Sequence, residues 1–161
     1  MLNVNKINPQ LANYLTGFAD GEGSFMIVVR KRDDYKENWK ISLCFNVSQK
    51  ESYILSQFKK HLECGTLRQR TDGVCYYEVN NFNSIWDNII PFFQKYHFLS
   101  QNKKYQFSLF VKAAKLIKEN KHLTKQGFVE VIKIREKMNR GGKRTNLKSS
   151  ETICQTQSEK I

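Results

Sequence analysis

Residues 15–23 read Leu-Thr-Gly-Phe-Ala-Asp-Gly-Glu-Gly, and a run with period two follows from Ser24 to Arg32. Just upstream, Asn8-Pro9 has the form of an N-cap followed by proline at the first helical position, where a missing N–H costs nothing. A helix is therefore expected from Pro9 to Ala19. It should end in Asp20-Gly21-Glu22-Gly23, where two glycines can break it and supply unusual backbone angles. In the run that follows, Phe25, Ile27 and Val29 fall on one face and Met26, Val28, Arg30 and Arg32 on the other. That alternation is the mark of a half-buried strand.

Working outward, a polar turn from Asp33 to Asn38 leads to a second such run. There Ile41, Leu43, Phe45 and Val47 alternate with Lys40, Ser42, Cys44, Asn46 and Ser48. The two runs predict an antiparallel hairpin with an apolar inner face and a polar outer one. Lys50 to Glu63 reads as a helix with Tyr53, Ile54, Phe58 and Leu62 at helical spacing. Gly65 opens a second hairpin with Leu67 inward, Thr66, Arg68 and Arg70 outward, and a turn at Thr71-Asp72-Gly73. Its return strand, Val74 to Val79, puts Cys75, Tyr77 and Val79 inward and Tyr76 and Glu78 outward. Asn81 to Tyr96 is expected to be a helix kinked or split by Pro91. Two more helices are expected at Ser100–Glu119 and Thr124–Asn139. The order αββαββα predicts an α+β domain over residues 1–140, with a four-stranded antiparallel sheet, helices on one face and a helical C-terminal extension. Residues 141–161 are polar, lack periodicity and read as a flexible tail. No internal repeat is visible.

The chain has 161 residues, 40% of them hydrophobic, with a formal charge of +12 and a pI near 9.6. So basic a chain calls for a polyanionic partner, and nucleic acid fits better than a membrane surface. No stretch approaches the ~20 apolar residues of a membrane span, and Met1 to Leu15 lacks the pattern of a signal peptide. Cys44, Cys64, Cys75 and Cys154 form no CxxC pair. They imply neither a zinc site nor a disulfide framework, but reduced intracellular thiols. Abundant Lys, Asn, Phe and Ile hint at an AT-rich gene, such as an organelle's.

Two surfaces stand out. The outer face of the sheet carries Arg30, Arg32, Lys40, Asn46, Arg68 and Arg70, interleaved with Tyr76. It can be an ordinary solvated face, but Arg and Asn on strands also suit major-groove readout, because Arg pairs bidentately with guanine and Asn with adenine. Residues 103–148 hold eleven Lys and three Arg against three Glu, either a solvated helical face or a source of phosphate contacts.

The stretch 15–23 resembles the signature of the LAGLIDADG homing endonucleases. It agrees at Leu15, Gly17, Asp20, Gly23 and the acid at position 22, and the strand opening at Ser24-Phe25 also fits. The resemblance covers roughly residues 9–140 and implies the LAGLIDADG fold. Gly17 and Gly21, four apart, present a nearly bare helical stripe on which two such helices can pack closely. A carboxylate and a carbonyl at the end of that helix offer hard oxygen ligands, which suit Mg²⁺ or another divalent cation such as Mn²⁺.

By this resemblance Glu22 binds the catalytic metal, with Gly21 contributing its carbonyl. Glu replaces the literal Asp, which shifts the ion by about a methylene. Asp20 reads as a structural group. Gln49 matches a glutamine that positions water, and Lys103, with Lys104 adjacent, matches an active-site lysine. A family arginine is replaced by Tyr53. The DNA-reading positions are Val28, Arg30, Arg32, Tyr35, Lys40, Asn46, Arg68, Arg70, Tyr76 and Glu78. One motif per chain implies a homodimer joined through Leu15, Gly17, Phe18 and Gly21. Such a dimer reads a long pseudo-palindromic duplex site and cuts across the minor groove to leave short 3′ overhangs. The expected location is an organelle or a prokaryotic cytoplasm.

Two other readings share this fold. An intron maturase would add RNA as a partner and need not keep Glu22 and Lys103. A non-catalytic DNA-binding regulator would lose the motif acid. Other nuclease designs fit less well. His61, His97 and His122 are scattered, and Glu130 with Lys133 reads as an ion pair within one helix.

Overall fold

A computed structural model describes residues 1–32 and 39–139. Tyr35 and the polar tail lie outside the described residues. The elements follow the expected order: α1 (Pro9–Glu22), β1 (Gly23–Lys31), β2 (Trp39–Gln49), α2 (Ser52–Leu62), β3 (Thr66–Gln69), β4 (Cys75–Val79), α3 (Phe82–Ser84), a π-helical stretch Ile85–Ile89, α4 (Ile90–Lys95), α5 (Gln101–Lys118) and α6 (Lys125–Asn139). Short 3₁₀ turns at Val4–Lys6 and Lys121–Leu123 add to the expected elements. The four strands form one sheet in the order β1-β2-β4-β3. Both β2–β4 and β3–β4 are antiparallel, with Val47 opposite Tyr77 and Tyr77 opposite Leu67.

Asn8 caps α1 as expected, its side chain accepting from the Gln10 and Leu11 amides at 2.9 and 3.2 Å. The far end of α1 differs from expectation. Asp20, Gly21 and Glu22 stay helical, and the chain turns only at Gly23, in an ordinary extended conformation (φ −78°, ψ 150°). The glycines are thus not needed for unusual angles. At Gly23 the need is space, because a Cβ there would sit 2.6 Å from the Ala19 carbonyl oxygen. At Gly73 a positive φ of 83° makes the β3–β4 turn.

The described residues divide into two compact units: residues 1–26 with 42–107, and residues 27–32 and 39–41 with 108–139. β1 and β2 contribute residues to both. The first unit has an aromatic core. Phe25 and Phe45 stack at 5.0 Å from the inner face of the sheet, and Phe93, Phe98 and Phe107 pack around Phe25 at 5.2–5.8 Å. Phe58 of α2 stacks on Tyr77. On α2 the buried residues are Ile54, Leu55, Phe58 and Leu62. Tyr53, expected inward, is exposed because Leu55 takes the core-facing position. Cys44 is buried although it belongs to the polar side of its strand, and Leu67, on edge strand β3, stays 38% exposed.

Pro91 splits its helix in a specific way. Having no N–H, it cannot bond the Asp87 carbonyl, and the Leu2 amide takes that acceptor instead at 2.9 Å. The π-helical turn just before it, closed by Ile90 N–H donating to the Ile85 carbonyl, absorbs the irregularity. In the second unit, Phe128 and Ile132 of α6 pack against Val29, Trp39 and Ile41. Arg135, buried on the same helix, donates from Nε to the Ile27 carbonyl at 3.1 Å. Burial there holds the guanidinium below its usual pKa, against the opposing charge of Glu136. Glu130 pairs with Lys112 of α5 at 3.6 Å, and not with Lys133 as expected.

Candidate active site

The site grows from the last turn of α1. Glu22 is its final residue and is exposed, as is Gly21 beside it. The carbonyls of a helix's last turn lack intrahelical partners, so this end presents oxygen atoms.

Asp20, two residues earlier, is bonded to the residues just before α5. One carboxylate oxygen accepts from the Leu99 and Ser100 amides at 3.0 and 2.9 Å, and the other from the Ser100 hydroxyl. It tethers the end of α1 to the start of α5, which leaves it committed to structure. Burial would raise its pKa, but the hydrogen bonds from Ser100 and Leu99 and the Lys103 charge hold the carboxyl below its usual range.

That tether positions Lys103 in the first turn of α5. Lys103 is only 8% exposed, and its ammonium donates to the Gly23 carbonyl at the α1–β1 junction. Burial pushes its pKa down, opposed by the nearby charges of Asp20 and Glu22. Lys104 is exposed and lines a separate cavity with Phe93, Gln94 and His97. Of the two lysines, only Lys103 reaches the motif. Gln49, the last residue of β2, folds back so that its side-chain oxygen accepts from the Lys50 amide at 2.8 Å. The structure therefore brings Glu22, Asp20 and Lys103 together, while Gln49 is turned onto its own backbone.

On α1, a Cβ added at Gly17 or Gly21 would meet nothing within 4 Å. Leu15, expected on the same surface, is fully buried in the chain's own core, and Phe18 is half-buried with its ring 6.3 Å from that of Phe58. Tyr14, 60% exposed and three residues before Gly17, occupies the outward stripe instead. The difference is one of phase. Alternate apolar positions of the motif serve the core, and the open face holds Tyr14, Gly17 and Gly21.

The strand residues divide by unit. In the first, register aligns Asn46, Glu78 and Thr66 in one row of the outer face and Ser48, Tyr76 and Arg68 in the next. Ser48 and Thr66 thus join the candidate reading face, and the signal for them was their parity with Asn46 and Arg68. Arg70 lies beyond β3, in the turn, where it pairs with Asp72 at 3.1 Å. In the second unit, Arg30 and Arg32 are exposed and Val28 and Lys40 half-buried. No helix among the described residues is long and apolar enough to cross a membrane.

The chain is 29% identical to "Probable intron-encoded endonuclease 2" of Neurospora crassa over 96% of its own length, but spans only 34% of that relative. Among solved structures it resembles I-SmaMI bound to an uncleaved DNA target with calcium ions, at TM-score 0.76 and 27% identity, covering 86% of this chain and 47% of the other. The archaeal intron-encoded homing endonuclease I-Vdi141I, complexed with DNA, shares the fold over 92% of this chain and 94% of its own, at TM-score 0.83 and 24% identity. The family model for LAGLIDADG endonucleases matches residues 15–114, and the chain belongs to that family.

Proposed function

We propose that this chain is a site-specific DNA endonuclease that acts as a homodimer, cuts both strands of a duplex and requires a divalent cation. The observation that carries the reading is the end of α1. Exposed Glu22 stands at the tip of a helix whose outward face is bare at Gly17 and Gly21, with the Lys103 ammonium buried behind it.

Among the described residues no three His, Cys, Asp or Glu side chains form a group that could hold a metal ion, so these residues offer no closed cage. That fits Mg²⁺ or Mn²⁺, since Mg²⁺ is commonly held by one or two carboxylates together with substrate phosphates. Glu22 and the Gly21 carbonyl would hold it, and when bound it supplies polarisation of the phosphodiester and activation of water. The chain's own residues do the rest. Asp20 fixes the angle between α1 and the start of α5. Lys103 stands ready to stabilise negative charge building on phosphate. Gln49 reaches the site by exchanging its bond to the Lys50 amide for one to water.

Pairing of two α1 helices along Tyr14, Gly17 and Gly21 would set two Glu22 carboxylates beside opposite strands. The target would then be long and pseudo-palindromic, cut across the minor groove with short 3′ overhangs. Asn46, Arg68, Tyr76 and Glu78, and separately Val28, Arg30, Arg32 and Lys40, supply groups for base and phosphate contacts. An intron-encoded relative agrees with a role in intron homing within an organelle or a prokaryotic cell.

The test is incubation with DNA spanning the uninterrupted host-gene insertion site, with Mg²⁺ and separately with EDTA. Metal-dependent double-strand cleavage by two chains per duplex is expected. Tight binding without cleavage under any divalent cation would overturn the enzymatic reading, and one chain per cut duplex would overturn the dimer.

A further inference from the structure

We propose that a cleft on the first unit binds a small aromatic carboxylate. The inference stands apart from the nuclease reading. The cleft has a volume of about 340 Å³ and is lined by Phe93, Gln94, His97, Phe98, Lys104 and Phe107. All six residues belong to the first unit. The volume falls in the range of small-ligand sites. Gln94 comes from the last turn of α4, His97 and Phe98 from the connection that follows, and Lys104 and Phe107 from the start of α5.

The apolar part of the cleft is wholly aromatic. Phe93 and Phe98 stack at 4.6 Å, and the Phe107 ring meets them edge-on at 6.0 and 5.7 Å. Phe93 and Phe98 are buried, whereas Phe107 is only half-buried. A planar ring entering here extends an existing aromatic cluster. Such ring pairs gain stability beyond the area they bury. An aliphatic group of the same size would fill the space without that gain.

The polar part selects a negative charge. Gln94, His97 and Lys104 are all exposed, and no carboxylate lines the cleft. None of the ion pairs found among the described residues takes up the Lys104 ammonium. The Gln94 amide and the His97 imidazole add N–H donors beside it. A carboxylate therefore meets a cation and further donors with no neighbouring acid to oppose it. An amine would be repelled, and a plain inorganic anion would leave the ring wall unused. Lys103, one residue earlier, is buried and donates to the Gly23 carbonyl, so the two adjacent lysines serve different sites. A ligand touching both α4 and α5 would also brace the connection whose Leu99 and Ser100 amides bind Asp20.

The test is a titration of the full chain with 2-naphthoate, in EDTA and without DNA, followed by amide NMR and thermal melts. Shifts should gather at the Gln94 side-chain amide and at the backbone amides of His97, Phe98 and Lys104. At about ten times its Kd the ligand should raise the melting temperature by about 3–6 °C. Lys104→Ala should weaken 2-naphthoate about two- to fivefold, as expected for an exposed ion pair. 2-Naphthalenemethanol keeps the rings but not the charge, and should bind parent and variant equally. Decalin-2-carboxylate keeps the charge but not the aromaticity, and should bind about two- to tenfold more weakly than 2-naphthoate. Unchanged affinity in Lys104→Ala would overturn the proposal, as would shifts confined to other parts of the chain. Displacement of 2-naphthoate by an equal concentration of inorganic phosphate would also overturn it, because Lys104 would then be a contact for any anion.

Discussion

Replacing Asp20 by alanine removes three hydrogen bonds at once: those from the Leu99 amide at 3.0 Å, the Ser100 amide at 2.9 Å and the Ser100 hydroxyl. The Leu99 and Ser100 amides at the start of α5 then lose their acceptor. Losing a cap costs ~0.5–2 kcal/mol, and a hydrogen bond to a charged group contributes ~1.5–3 kcal/mol. The carboxylate lies near the surface, so the lower part of the combined range applies, about 2 kcal/mol. At ~2–4 °C per kcal/mol for a chain of this size, the melting temperature should fall by about 4–8 °C. The effect should also depend on pH. The folded carboxyl is held below its unfolded value of 3.8. On acidification the unfolded chain therefore takes up the proton first. The stabilisation is complete above 3.8 and is lost as pH falls through the folded value. Urea melts in EDTA at about pH 7 and about pH 3 measure both effects. A wild-type midpoint at neutral pH would refute the tether. A deficit that persists unchanged in acid would refute its ionic character.

Glu22→Gln should keep DNA affinity within about twofold yet slow cleavage by at least ~100-fold, since even the outer partners of metal ligands affect such sites 10–100-fold; retained cutting in a gel assay would remove Glu22 from the chemistry. Gly17→Leu should leave the chain's own melting temperature unchanged or higher, because the position is open and helix propensity rises by ~0.8–1 kcal/mol. In sedimentation the same variant should run as a monomer, and an intact dimer would exclude pairing through that face. Gly23→Ala should cost ~1–3 kcal/mol in a thermal melt, since its Cβ would meet the Ala19 carbonyl oxygen at 2.6 Å and backbone must move; a neutral result would contradict the close approach at the α1–β1 junction.

The fold was largely legible because period is a local property. Phe25 and Ile27, or Leu43, Phe45 and Val47, announce an inner face without reference to any partner, and the structure buries them all. Asn8-Pro9 announced a helix start for the same reason. The helix end was misplaced because Gly21 tolerates the α region as well as others, so glycine alone does not state where a helix stops. Tyr53 and Leu15 were misassigned because an apolar residue one position out of phase looks the same in a sequence. Only the packing of Leu55, and of Leu15 itself, against the core separates the two faces.

Residue type and local pattern alone determined the element order, the hairpins and the exposed acid near the end of a glycine-bearing helix. Tertiary structure decided which groups meet across the chain. Asp20 reaches Ser100, and the Lys103 ammonium reaches the Gly23 carbonyl, each across eighty residues of sequence. The Leu2 amide fills the acceptor that Pro91 leaves vacant on Asp87. Such pairings depend on how helices dock on the sheet, and no local periodicity encodes the distance between residues so far apart in the chain.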